Sequence, residues 1–596
     1  MDEITSILKE SYLNNLSFFK KSYPNLYNKV INFESQNIEN YFIEITNNHL
    51  NLTSVDGRCC YENDPFMDAE NRVLNEYSRQ IFSLVNIDKI ANNINKYENI
   101  PNASNMVNEY LEVFDIASIN PYNVAKKFIF IGTLLGIHIN PIVANSKYGN
   151  ILVVEPSIEI FRLSMFVCNY ELLAKQVRLF FLIDFDDIEF KSAINSFLNV
   201  DFLWNHFIPF ELASENESYL VSKMNFALID NNEFNYPFSE YLISLKRGIK
   251  YICTNNYNLL NTTMNVILQD FEIVFIGAGP SLDNSRALLL SLHEKFKLVA
   301  TSASLKKLEQ FEIVPDVVIL LDGVKDLMLK QFDVHKKYYE NSIILASIHI
   351  DEDLLCIFAK KNVFLFQDSL ELFKGFGFNL GVNVGDVGIG LFLKLGCKKL
   401  HLIGVDACLG KTGKTHNDTH SLNQQFNLND IDNNATGIDY DMDIFWVKGN
   451  GGGAVPTTMM YLQMIESLNF IFDDYKNVSI INHGDGAAFC NTNKFQTLMK
   501  IVTVDVHTIF DKLMSVSVIC SKDNLLCDFD DEISSIELML HGDSGMQNTI
   551  SYMIYKKFEK LILPYVDLTK NELIFANQQA AILETIMEVL TIGKTY

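Results

Sequence analysis

The sequence predicts an α/β protein built around a doubly wound, open parallel sheet. Three observations carry this expectation. Short apolar runs recur through the middle of the 596-residue chain: FEIVFIG (271–277), FKLVATS (296–302), DVVILLD (316–322), SIILAS (342–347), NVFLFQ (362–367), KLHLIGVD (399–406) and VSIINHG (478–484). Helical patterns separate the runs, the alternation that a parallel sheet with crossover helices requires. Several runs end in glycine, hydroxyl or carboxylate residues, at the end of the strand where such sheets bind ligands.

The elements divide the chain into three zones. Residues 1–235 open with polar, helix-like segments and continue with the strands FIFIGTLLGIHI (128–139), ILVVEP (151–156) and RLFFLIDF (178–185), an α/β N-terminal domain. Residues 236–500 hold the central sheet. Residues 501–596 read as a helical C-terminal domain, with apolar residues at helical spacing in ELIFANQQAAILETIMEVL (572–590). The polar stretch 416–443 reads as a long loop over the strand ends, the usual form of a lid or binding element.

Composition narrows the function. With 48% hydrophobic and 20% charged residues the chain fits packed globular domains. A formal net charge of -25 and a pI near 4.9 disfavour nucleic acid and anionic membrane surfaces as main partners. No run of 18 or more consecutive apolar residues predicts membrane insertion. The acidic, polar N-terminus does not have the form of a signal peptide, and the ten cysteines lack zinc-site spacing. The expectation is a cytoplasmic protein with reduced thiols.

The strand ends hold the candidate chemistry. In FEIVFIGAGPSLDNS (271–285) an apolar run enters a turn of Gly277, Ala278, Gly279, Pro280 and Ser281. A dinucleotide fingerprint fails at Leu282, and a P-loop fails as well. An anion held at a helix start and a plain connecting turn both remain. Asp322 ends a buried strand and could meet a ribose hydroxyl, a metal or a lysine, or could cap the next helix. In GVNVGDVGIGLFLKLGCKKLHLIGVDACLGKTGKTHNDTH (381–420) a glycine-rich segment precedes Asp406, and a loop with Lys411, Lys414, His416 and His420 follows. A loop histidine of ordinary pKa would serve as general base. WVKGNGGGAVPTTMMYLQ (446–463) reads as a flexible loop with Thr457 opening a helix, and INHGDG (481–486) closes another strand at Asn482. In the N-terminal domain, GTLLG and VVEP have a methyltransferase-like order, but Gly132 and Gly136 do not complete the glycine pattern. A degenerate or scaffold domain is expected there.

Taken in order, GAGPSL, VATSASLKKLEQFEIVPDVVILLD and the GVNVG–GCKKLHLIGVD–TH block resemble the motility-associated factor (Maf) glycosyltransferases. FIFIGTLLGIHI…ILVVEPSIEIFRLSMF is similar to their N-terminal domain, so the resemblance spans about 120–490. It implies a cytoplasmic enzyme that moves a nonulosonic acid of the pseudaminic or legionaminic type from its CMP-sugar to Ser/Thr of flagellin before export. The core also resembles CMP-sugar sialyltransferases, which implies a Rossmann-like, sialyltransferase-like central domain. By that resemblance Gly277, Gly279, Pro280 and Ser281 would hold CMP. Thr301, Ser302, Asn383 and Gly385 would line the nucleotide, with Asp322, Thr457 and Asn482 in further ligand-facing loops. Asp406 would bind the ribose or neighbouring groups. Two tyrosines that hold the leaving phosphate are replaced by Cys408 and Lys414, and Ala278 stands where the relatives have asparagine. The catalytic histidine's place falls near Tyr440, which leaves His416 as base and Lys414 as the charge on phosphate. The scheme obliges no cofactor or metal, though Asp322 could recruit a divalent ion. A pterin diphosphokinase-like, ATP-dependent enzyme and a non-catalytic flagellin-binding protein are the alternatives.

Overall fold

A computed structural model describes residues 2–46, 49–61, 64–75, 79–83, 120–200, 205, 207–214, 218–230, 246–251, 254, 257–293, 296–368, 371–373, 375–428, 444–494, 506–519, 529–543, 545–556, 580, 583–584 and 586–591. The N-terminal zone begins with the helices Asp2–Ser22 and Pro24–Ser35 and the antiparallel hairpin β1 (Tyr41–Thr46) and β2 (His49–Ser54). A five-stranded sheet follows, from β3 (Gln80–Ser83), β4 (Lys127–Ile131), β5 (Asn150–Glu155), β6 (Arg178–Ile183) and β7 (Phe207–Leu212). Its order is β3-β7-β4-β5-β6, with β3 antiparallel to its neighbour. β4 and β5 are buried throughout, which is why their sequences read as unbroken apolar runs. Glu155, at the end of β5, is fully buried and accepts from the Thr133 N–H (2.8 Å), the Thr133 hydroxyl (3.1 Å) and the Ser157 N–H (2.9 Å). The carboxylate that a methyltransferase-like site would turn towards a ligand is spent closing its own turn.

The central sheet has ten strands. They are β8 (Asn258–Leu260), β9 (Glu272–Ile276), β10 (Lys297–Thr301), β11 (Val317–Leu320), β12 (Ile343–Ser347), β13 (Val363–Phe366), β14 (Lys399–Ile403), β17 (Ser479–Asn482), β18 (Thr492–Lys494) and β19 (Ser517–Ile519). β15 (Ile444–Lys448) and β16 (Ala454–Thr458) form a separate antiparallel hairpin. The order is β18-β17-β14-β9-β10-β11-β12-β13-β8-β19, parallel except for β19. The chain runs from β9 outward through β13, returns to place β14 beside β9, and then goes the other way to β17 and β18. The switch point of the doubly wound sheet therefore lies between β9 and β14.

Successive residues of each strand feed opposite faces. Val318, Leu320, Ile344 and Leu365 face one core, and Val317, Ile319, Leu345 and Phe364 face the other. Each fully buried aliphatic contributes about 1.5–3 kcal/mol. The first core also takes in Ile536, Met539, Ile554, Tyr555, Leu583, Ile586 and Leu590. The described part of 501–596 is thus not a domain with a core of its own. It packs on both faces of the central sheet, through Ile509 and Leu513 on the second, and supplies its edge strand β19. Lys191 and Glu466 form an ion pair (2.9 Å) between the N-terminal zone and the helix Met459–Asp474.

Candidate active site

A cavity of about 810 Å³ opens at the carboxyl ends of the central strands, at the switch point. Its size suits a small-molecule ligand. Gly277, Ala278 and Gly279 after β9, Thr301 and Ser302 at the end of β10, and Asp322 after β11 line it. Asp406 after β14 and the helix start at Asn383 and Gly385 line it too. The strand-end rule thus brings these predicted residues into one place.

The glycine turn does a different job from the one expected. The Gly277 N–H donates to the Ile403 carbonyl (2.9 Å) and the Gly279 N–H to the Gly404 carbonyl (2.8 Å). A Cβ on Gly277 would lie 2.4 Å from the Gly404 oxygen, and one on Gly279 would lie 2.4 Å from the Asp406 carboxylate. Glycine is needed because two turns press against each other. Pro280 opens a 3-10 turn, Pro280–Asn284, and does not line the cavity. Ser281 also points away from it. Its N–H (2.7 Å) and hydroxyl (2.6 Å) both donate to Asp406. Asp406 is 3% exposed; burial raises its carboxyl, and the two Ser281 donors oppose that rise. The residue expected to bind a ribose or work on a proton is instead the pin that fixes the β9 turn to the β14 turn.

Asn383 caps the helix Val384–Lys394. Its side chain accepts from the Gly385 N–H (2.8 Å), and Asp386 accepts from the Asn383 N–H (2.9 Å), a reciprocal capping box. Val382, Asn383, Val384 and Gly385 of this helix start line the cavity. Asp322 is exposed at its strand end, and its carboxylate accepts from the Val324 N–H (2.8 Å), a local turn ahead of the helix Lys325–Gln331, which has no side-chain cap. Among the described residues no group of three or more His, Cys, Asp or Glu is arranged to hold a metal ion, and Asp322 belongs to no such set. The Ser302 hydroxyl donates to Gln331 (2.7 Å).

Three further predicted residues fall outside the cavity lining. Thr457 lies on β16, not at a helix start, and its hydroxyl donates to the Ala407 carbonyl (2.8 Å). Thr458, the next residue, lines the cavity and precedes the helix. Asn482 is 3% exposed and accepts from the Gly484 N–H (3.0 Å), closing the turn after β17. The Lys414 carbonyl accepts from the Gly410 N–H (2.8 Å), and its charge acts on Asp418. Among the described lining residues the only Lys or Arg is Arg247. The glycine-rich stretch of 446–463, read as a flexible loop, is the turn of the β15–β16 hairpin.

The segment 410–428 covers the strand ends, as the sequence suggested; the rest of the polar stretch, with Tyr440, lies outside the described residues. Asn417 is fully buried and donates twice to the Ala278 carbonyl, from its backbone (2.9 Å) and its side chain (3.0 Å). Lys307, 4% exposed, bridges Asp283 (2.7 Å) and Asp418. His416 lines the cavity, stacked on His420 with ring centroids 4.0 Å apart. Burial, then the neighbouring His420, pushes His416 down to about 3, and burial pushes His420 to about 4. Both rings are neutral at physiological pH. His416 is too weak a base for the role assigned to it, because burial overrides the ordinary imidazole value.

Asn379, which sequence reasoning missed, shares one feature with the expected Thr301. Thr301 Oγ1 and Asn379 Oδ1 are buried and have no hydrogen-bond partner. These residues are 1% and 2% exposed. Such groups cost about 1–3 kcal/mol each, so they mark where a ligand would supply the missing bond. His349 and Asp368 also line the cavity, with the histidine Nδ1 3.0 Å from the carboxylate. Both follow strands read correctly from sequence, SIILAS and NVFLFQ. Carrying the strand-end rule one or two residues further would have found them.

Two family models match parts of the chain, and one solved structure is similar over most of it. Residues 244–412 match the family described as 6-hydroxymethylpterin diphosphokinase MptE-like. Residues 11–194 match the glycosyltransferase Maf N-terminal domain. The solved structure of the Maf glycosyltransferase from Magnetospirillum magneticum AMB-1 is similar over 98% of this chain and 95% of that chain, with a TM-score of 0.56 and 15% identity. No curated protein matches the chain. The structural likeness carries the fold, and the likeness to the Maf glycosyltransferase family rests on the match of residues 11–194 to its N-terminal domain.

Proposed function

We propose that the protein transfers a nonulosonic acid from its CMP-sugar to Ser/Thr hydroxyls of flagellin in the cytoplasm. One observation carries the donor reading. A cavity at the switch point of a doubly wound sheet holds two buried, unpartnered polar atoms, Thr301 Oγ1 and Asn379 Oδ1. Asn379 Oδ1 accepts only, so it calls for an N–H or O–H on the ligand, which a cytosine amine or a ribose hydroxyl supplies. Thr301 can pair with either polarity. The departing CMP phosphate would lie at the positive end of the helix Val384–Lys394, in place of Lys414. Exposed Leu380, Val382, Leu422 and Met460 rim the cavity and suit a polypeptide acceptor better than a free sugar.

The match of 244–412 to the diphosphokinase-like family supports a second reading, in which the cavity takes ATP and a pterin. Thermal shift separates the two. CMP should raise the melting temperature and Mg–ATP should not. The reverse pattern overturns the transferase reading. Flagellin co-expressed with the protein and a nonulosonic acid pathway should gain mass in whole sugar increments. CMP binding with unmodified flagellin would point to a non-catalytic flagellin-binding protein.

A further inference from the structure

We propose that His349, oriented by Asp368, takes the proton from the acceptor hydroxyl during transfer. The assignment rests on the transferase reading above. β12 and β13 are parallel neighbours with Ser347 opposite Phe366, so the residues just past their carboxyl ends meet at the cavity wall. His349 Nδ1 lies 3.0 and 3.1 Å from the two Asp368 oxygens and 2.8 Å from the Ser347 hydroxyl. Asp368 is 4% exposed and also accepts from Ser347. A buried carboxylate at Nδ1 fixes the proton there, which makes Nε2 the basic nitrogen, and it stabilises the imidazolium formed when Nε2 takes a proton.

The backbone is held as firmly as the ring. Arg247 donates to the His349 carbonyl (2.6 Å) and the Gly323 carbonyl (2.8 Å) and pairs with Asp351 (2.8 Å). It thereby ties the loop after β11 to the loop after β12. Three histidines line the cavity: His349, His416 and His420. Of these, His349 is the one backed by a carboxylate among the described contacts. His416 Nδ1 meets only the Thr415 hydroxyl (2.9 Å), and its ring lies face to face with a second imidazole.

The step balances without another reagent. The hydroxyl O–H breaks and its proton passes to His349 Nε2. The oxygen forms a bond to the anomeric carbon, whose bond to the phosphate oxygen breaks with the electron pair leaving on CMP. General-base assistance of this kind contributes about 10²–10⁴-fold.

The test measures sugar transfer by the full chain as a function of pH, with the CMP-induced thermal shift recorded for every variant to show an intact donor site. His349→Gln should lower kcat at least about 100-fold, keep the CMP shift and remove the acid limb of the kcat profile. Asp368→Asn should reduce kcat and move that limb, because it changes the tautomer without removing the ring. Imidazole in the buffer should partly restore His349→Ala. His416→Gln should keep the acid limb whatever its effect on KM. Transfer by His349→Gln at the wild-type rate, or with the wild-type acid limb, overturns the assignment alone. A wild-type protein that transfers no sugar overturns the transferase reading and this assignment with it.

Discussion

Replacing Asp406 tests whether this carboxylate is a structural pin or a ligand contact. Its two oxygens receive the Ser281 N–H at 2.7 Å and the Ser281 hydroxyl at 2.6 Å, and the side chain is buried. Asp406→Ala removes both bonds and leaves two donors facing a small void. Hydrogen bonds to a charged group are worth about 1.5–3 kcal/mol each, and relief of the buried charge returns part of that, so the net cost is about 3 kcal/mol. Asp406→Asn can keep both bonds: its carbonyl accepts the Ser281 N–H while its amide donates to the Ser281 hydroxyl, which turns its own proton away. The expected cost is within about 1 kcal/mol. Hydrogen exchange of the 272–285 segment reads the turn directly. It should accelerate by roughly two orders of magnitude in the alanine variant and barely change in the asparagine variant. Transfer activity should follow the same order. If both variants lose transfer equally while exchange in the asparagine variant stays at the wild-type rate, the negative charge itself acts on the ligand and the pin argument fails.

Other consequences are testable. Thr301→Val removes a buried hydroxyl that has no partner, so the apo protein should hold its stability or gain up to about 1 kcal/mol, while the CMP-induced thermal shift shrinks. His416 is held near 3 when folded and would titrate near 6.5 when unfolded. Between those values the unfolded chain binds more protons, so the stability is full above about pH 6.5 and falls as the pH drops. Denaturant titration should show that His416→Gln removes about 2 kcal/mol of the stability lost from pH 7 to 5, the buried His138, His420 and His483 keeping the rest. Lys307→Met should cost about 1–2 kcal/mol, discounted because Asp418 is half exposed, and should speed exchange across 410–428 without altering the central strands.

The sheet was legible because parallel strands buried on both faces leave unbroken apolar runs in the sequence, and those from FEIVFIG to VSIINHG all became parallel strands. The short strands β18 and β19 at the two edges, and β8 next to one of them, carry no such signal; NLL, TNK and SVI are set by the neighbours they pair with. The site was half legible. Strand ends located Gly277, Thr301, Asp322 and Asp406, since topology alone puts them at one end of the sheet. Roles were not legible, because they depend on which partner each polar group takes and how deeply it is buried. Ser281 consumes Asp406 from 125 residues away, Asn383 is taken up by its own helix cap, and burial neutralises His416. Ala278 itself is held through its carbonyl by Asn417, a contact its sequence position does not signal.

That last contact bears on how the protein is made. Asn417 reaches back 139 residues and Asp406 reaches back 125 to hold the same turn. During synthesis the glycine turn leaves the ribosome long before either partner exists. β9 to β13 can pair as they emerge, but the ligand cavity has no finished floor until residue 418 has followed. A nascent chain stalled before that point would present a half-sheet whose cavity still lacks this loop, and Thr458 and Met460 would complete its lining later still.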